Sequence, residues 1–143
     1  VRIVLDSSVL VAALATPNPA SASRVILAAV AAGVVRLILT DDLEAEYRRA
    51  VEYPQVVRCA AKVNRQKFVS AVVAVAERVD EGDAGGAVLG DAEDDKVMGA
   101  ALGGRALVVV SFDRHLLHLR EVRGVRVLRP GDLLRELRAV SVG

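Results

Sequence analysis

What most constrains the fold of this chain is a set of short apolar runs that recur between longer stretches of helical periodicity. The first, Ile3-Val4-Leu5, stops at Asp6. Others run from Val34 to Leu39, from Ala106 to Val110 and from Val125 to Leu128. Runs this short, rich in β-branched residues and bounded by polar ones, read as buried strands of a parallel sheet. Between them apolar residues fall three and four apart: Val25, Ile26, Ala29 and Val30, then Phe68, Val72, Val75 and Ala76, then Val97, Met98, Ala101 and Leu102. Strands that alternate with helices predict a doubly wound α/β domain, with helices on both faces of the sheet.

The punctuation agrees with that alternation. Pro17-Asn18-Pro19 stops a first helix running from Val9 to Leu14, because the residue before a proline is pushed out of helical geometry. Ser21 or Ser23 caps the next helix, and Gly33 ends it in a left-handed conformation. Thr40-Asp41-Asp42-Leu43-Glu44 opens a third, with Asp41 and Glu44 at capping-box spacing. Asn64 caps the helix through Phe68, Val79 belongs to a short strand, and Glu81 to Gly90 reads as a Gly-rich surface loop. Pro130 starts a closing helix through Leu133, Leu134 and Leu137. A length of 143 residues suits a single domain spanning 1–143.

Composition excludes several classes. Although 53% of residues are hydrophobic, no apolar run approaches the roughly 18 to 20 residues that cross a bilayer, so no membrane span is expected. The first residues lack the pattern of a secretory signal, which leads us to expect a cytoplasmic protein. Cys59 is the single cysteine, which rules out an internal disulfide and any cysteine-based zinc site. His115 and His118 are three apart with no third nitrogen or sulfur ligand nearby in sequence, so surface or substrate-edge contacts suit them better than a metal. A net charge of +1 offers no bulk attraction for nucleic acid. Locally, Arg48, Arg49, Arg58, Lys62, Arg65 and Lys67 form either a solvated face or a track for RNA phosphates. The four aromatics, Tyr47, Tyr53, Phe68 and Phe112, leave base stacking a minor role.

The acids carry the chemistry. Asp6 follows the first strand, Glu46 sits in the helix after the second, Asp95 lies near a helix start, and Asp113 follows the strand that ends at Val110. In a parallel α/β sheet, strand ends and helix starts gather on one edge, so these four carboxylates are expected to converge there. Packed together they repel, and a divalent cation relieves the repulsion. All-oxygen ligands suit Mg²⁺ or Mn²⁺ rather than zinc. Such an ion activates water and clamps phosphate oxygens, so phosphodiester cleavage is the natural chemistry.

Four segments, in order, resemble the PIN-domain family, in particular its small VapC-type toxins of toxin–antitoxin pairs. They are Val4-Leu5-Asp6-Ser7-Ser8-Val9-Leu10, Thr40-Asp41-Asp42-Leu43-Glu44-Ala45-Glu46-Tyr47, the acid-rich Asp91-Ala92-Glu93-Asp94-Asp95-Lys96, and Val109-Val110-Ser111-Phe112-Asp113-Arg114-His115-Leu116-Leu117. The gap 113 − 95 = 18 residues matches the family's usual distance to the last acid, which favours Asp95 as the third acid, with Asp94 and Asp91 as substitutes. Ser7-Ser8 stands where relatives often have Thr-Asn, and Ser111 where Thr is usual; both departures keep a hydroxyl in a supporting position.

The resemblance implies a three-layer α/β/α fold with about five parallel strands in the order 3-2-1-4-5. It also implies an Mg²⁺- or Mn²⁺-dependent endoribonuclease whose metal is held by Asp6, Glu46, Asp95 and Asp113, an RNA substrate, a homodimer and a cognate antitoxin. The alternative is a catalytically silent module of the same fold that binds RNA or a protein. A haloacid dehalogenase phosphatase needs a second Asp two residues after the first, where Ser8 stands. A two-component receiver needs a Lys after its last strand, where Arg129-Pro130 stands.

Overall fold

The computed structural model of the chain describes residues 1–82 and 92–142. Strand β1 (Arg2–Leu5) leads through helices α1 (Ser7–Ala15) and α2 (Ala22–Ala31) to β2 (Arg36–Leu39). Helices α3 (Asp41–Ala50), α4 (Pro54–Cys59) and α5 (Arg65–Ala74) then lead to β3 (Glu77–Arg78). Beyond it come α6 (Ala92–Gly103), β4 (Val108–Val110), α7 (Arg114–Leu119), the hairpin of β5 (Glu121–Val122) and β6 (Val125–Leu128), and α8 (Pro130–Val142). The strands form one sheet in the order β3-β2-β1-β4-β6-β5, parallel except at the β5 edge.

The expected order therefore holds, with one added edge strand. Arg123 and Gly124 both have positive φ, 49° and 83°, and make a two-residue hairpin turn that pairs Val122 with Val125. The sequence alone predicts that Gly124 leads straight into the last strand, because only half of the usual Asn-Gly signal is present. The second strand begins at Arg36, not Val34: Val34 is largely exposed, and Gly33 takes the expected left-handed φ of 77° just before it. The third strand falls on Glu77–Arg78, and Val79 follows it, its N–H still donating to Leu39 O at 2.9 Å.

Ile3, Val4 and Leu5 are completely buried because β1 has a strand on either side and helices on both faces. Each such side chain contributes roughly 1.5–3 kcal/mol through removal from water. On the helical layers, α2 packs against α8, while α3 packs against α1, α5 and α6. Val69 and Val72 of α5 are buried in this core, while Val75 stays partly exposed. Helix α6 approaches the sheet closely because it ends in glycines: a Cβ at Gly103 would strike the Asp80 carbonyl, and one at Gly104 would strike Ile38. No described helix is long and apolar enough to cross a membrane.

The caps follow the sequence with one shift. Ser21 and Asn64 cap α2 and α5 as expected, but Thr40 rather than Asp41 caps α3, accepting from Leu43 N at 3.2 Å. Asp41, Asp42 and Glu44 then fill the first turn, where the helix dipole favours acids.

Candidate active site

From β1 the chain steps outward through β2 to β3, then returns to lay β4 on the other side of β1. That reversal opens a crevice beyond the carboxyl ends of β1 and β4, the place where open α/β sheets bind ligands. Asp6 follows β1 into the crevice and Ser111 follows β4, with Asp6 N donating to Val110 O at 2.9 Å to lock the two strand ends together.

Asp6 occupies the N-cap position of α1, yet its carboxylate makes no capping bond. Oδ2 instead accepts from Ser8 Oγ and Ser111 Oγ, each at 2.7 Å. Both serine oxygens are themselves loaded by backbone donors: Phe112 N–H donates to Ser8 Oγ at 3.0 Å, and Asp113 N–H donates to Ser111 Oγ at 2.9 Å. With their acceptor sides taken, the hydroxyl protons turn to Asp6, so two parallel relays run from the turn after β4 onto one carboxylate oxygen. Ser8, where relatives often have Asn, and Ser111, where Thr is usual, thus hold the first acid in place.

Helix α3 delivers Glu46. Tyr47 is fully buried and donates its hydroxyl to Leu5 O at 2.6 Å, which pins α3 to the end of β1 one residue before Asp6. Burial pushes the Tyr47 pKa far up and the Asp6 charge adds to the push, so the phenol stays a donor throughout the working range. Glu46 is itself buried and accepts from Arg49 Nη2 at 2.8 Å. Asp113 takes a double role: Oδ1 caps α7, accepting from His115 N at 2.8 Å, while its side chain also lines the crevice.

The crevice has a volume of about 300 Å³. Asp6, Glu46 and Asp113 share its lining with Ser7 and Ser8, and Val11, Ala50, Val97 and Tyr53 complete the wall. Three of the four expected acids are thereby brought to one cavity. Asp95 is not in its lining; its Oδ1 is buried without a hydrogen-bond partner among the described residues, and its charge adds to the upward push on the Glu81 carboxyl, which comes first from burial and then from a hydrogen bond with Asp42. Among the described residues no three carboxylate, imidazole or thiolate groups stand close enough together to hold an ion by themselves. The substitute Asp91 and the side chain of Asp94 lie outside the described residues.

The family model for the PIN domain matches residues 2–115. The chain belongs to the PIN-domain family. That span contains all four acids and ends at His115, the second residue of α7. PIN domains are in general nucleases, so the family points to hydrolysis of nucleic acid. No curated protein matches the chain.

Two features of this PIN domain depend in part on contacts between residues that lie far apart in the sequence. Tyr47 reads in the sequence as an aromatic and as the last residue of the second motif segment, whereas it fastens the helix of Glu46 to the end of the strand that leads into Asp6; the signal is its place beside Glu46 in a helix otherwise rich in charge. The basic residues of α3 to α5 read as either a solvated face or a phosphate track, and three of the arginines are neutralised at home. Arg48 bonds Glu44 and Gln66, Arg49 bonds Glu46, and Arg65 bonds Glu52. Arg58, Lys62 and Lys67 remain exposed.

Proposed function

We propose that this chain is a divalent-metal-dependent endoribonuclease. The observation that carries the reading is the Asp6 carboxylate, withheld from capping α1 and held by Ser8 and Ser111 in a cavity that it shares with Glu46 and Asp113. The donor chemistry fits Mg²⁺ or Mn²⁺: hard carboxylate oxygens in one cavity, and a buried, unpartnered oxygen on Asp95 in the neighbouring helix. Asp6, Glu46 and Asp113 would hold the ion, with Asp95 as the further acid, and waters would complete its shell because magnesium gives up its hydration reluctantly. When bound, the ion would supply an activated water and a clamp on the scissile phosphate.

The residues of the chain do the rest. Ser8 and Ser111 fix the orientation of Asp6, Tyr47 fixes the helix that carries Glu46, and Arg49 offsets part of the charge on Glu46. Of the four aromatics, two are 44% exposed: Tyr53, which lines the cavity, and Phe112, which lies in the chain between Ser111 and Asp113. An unstacked base finds its platform there, a stronger role for stacking than composition alone implied.

Toxin function, with a homodimer and a cognate antitoxin, is the finer form of this proposal and rests on the four motif segments. A second reading, a silent PIN module, draws support from the spacing of the acids noted above. Mn²⁺-dependent cleavage of a mixed set of labelled RNAs, wild type beside Asp6→Asn, separates the two. A ribonuclease cleaves as wild type only; a silent module cleaves in neither form.

A further inference from the structure

A second cavity, of about 510 Å³, lies on the same sheet edge and is lined by Arg114, His118, Arg120 and Arg129 around Leu117. Arg114 and His118 come from α7, Arg120 ends that helix, and Arg129 leaves the carboxyl end of β6. All four basic side chains are exposed, and none has a hydrogen-bond or ion-pair partner among the described residues. Other arginines of this chain behave differently: Arg48, Arg65, Arg78 and Arg126 each meet a carboxylate. Three uncompensated guanidiniums in one concavity attract an anion, and the planar donor fork of guanidinium matches phosphate oxygens two at a time.

The position of the cavity says which anion. Arg114, which lines the basic cavity, directly follows Asp113, which lines the acidic crevice, so the two Cα atoms are about 3.8 Å apart. A nucleic-acid strand whose scissile phosphate sits in the crevice runs its next phosphates past Arg114. Arg120 is held in place for this: it adopts a φ of 58°, unusual for a residue with a side chain, and its carbonyl accepts from Val127 N at 2.8 Å. His118, Arg120 and Arg129 also lie beyond the residues that the family model matches, so the cavity belongs to this chain's own carboxyl-terminal third.

We infer that this basic cavity is a phosphate-binding subsite that grips the RNA strand beside the acidic crevice. The inference rests on the nuclease reading for its ligand, but it makes no use of cleavage. The phosphate comes either from the 5′ end of the strand, a doubly charged monoester, or from the diester backbone.

The test is binding of short single-stranded RNAs, fluorescently labelled at the 3′ end, to the full chain in EDTA, read by anisotropy. One RNA carries a 5′ phosphate and its twin a 5′ hydroxyl. The variant Arg114→Gln/Arg129→Gln is compared with Arg36→Gln/Arg105→Gln, which removes the same charge at the opposite, amino edge of the sheet, and thermal unfolding confirms that both fold. The first variant is expected to bind about a hundredfold more weakly, about tenfold for each charge-assisted contact removed, and the second less than about threefold. A loss confined to the 5′-phosphorylated RNA identifies the terminal phosphate, and an equal loss on both RNAs identifies the backbone; either supports the subsite. Equal binding by both variants, or no RNA binding by the wild type, overturns it. Because cleavage is measured separately, a wild type that cleaves while the first variant binds normally would sink the subsite and leave the nuclease standing. The opposite result, tight binding lost in the first variant without any cleavage, would do the reverse.

Discussion

The two cavities on the carboxyl edge of the sheet are built by opposite means. In the acidic crevice every described carboxylate is tied down: Asp6 by two serines, Glu46 by Arg49, Asp113 by the start of α7. In the basic cavity next to it no side chain is tied to a described neighbour. Carboxylates that must meet a small ion in a defined geometry gain from being held, because reorganising them during the reaction would raise the barrier. Cations that grip a flexible polymer gain from reach. The contrast is between a site made for positioning and one made for capture.

The sharpest way to break this contrast is to remove the ties from the acidic side. Ser8→Ala/Ser111→Ala leaves Asp6 in place but strips both donors from Oδ2, and we expect cleavage to fall about 10- to 100-fold, the usual effect of losing the groups that orient metal ligands. Steady-state cleavage rates at saturating Mn²⁺ check this. An unchanged rate would mean that the relays are ornamental and the crevice no more organised than its basic neighbour.

A smaller effect is expected at Tyr47→Phe, which removes the bond to Leu5 O and leaves the ring buried. Chemical denaturation should report a loss of about 1 kcal/mol, with more if the carbonyl finds no other donor. If cleavage falls further than stability explains, the brace positions Glu46 as well as supporting the fold.

Smallest is a pH effect on the same helix. Hydrogen bonds from Arg78, and then from Arg48, hold the Glu44 carboxyl below its ordinary value of 4.5. A depressed folded pKa contributes stability that is present above 4.5 and lost as the pH falls below it through the folded value. Melting temperatures of wild type and Arg78→Ala should therefore differ above pH 4.5 and converge below it. Parallel curves would show that this surface ion pair does not brace α3.

How much of this could be read from the sequence depended on how local the signal was. Asp6 was legible because a buried strand that ends in a carboxylate is a pattern of six residues. The caps at Ser21 and Asn64 were equally local. The relays onto Asp6 were not, since Ser8 and Ser111 are 103 positions apart and meet only because β4 lies beside β1. Charge balance is non-local for the same reason. The run from Arg48 to Lys67 looks basic in one dimension, but Glu44, Glu46 and Glu52 neutralise half of it in three. Arg114, His118, Arg120 and Arg129 look scattered in sequence, and the β5–β6 hairpin folds them together. The hairpin itself hid behind an Arg-Gly turn.

The most direct test of the whole account takes Asp6→Asn and measures Mn²⁺-dependent RNA cleavage and melting temperature on the same sample. The account predicts cleavage reduced by more than about a hundredfold with a melting temperature equal to or above that of the wild type, because Asn keeps the shape and removes a charge from among three acids. Retained cleavage, or a loss of cleavage that only follows a fall in stability, would contradict the claim that the Asp6 carboxylate is the organising group of a metal-dependent nuclease site.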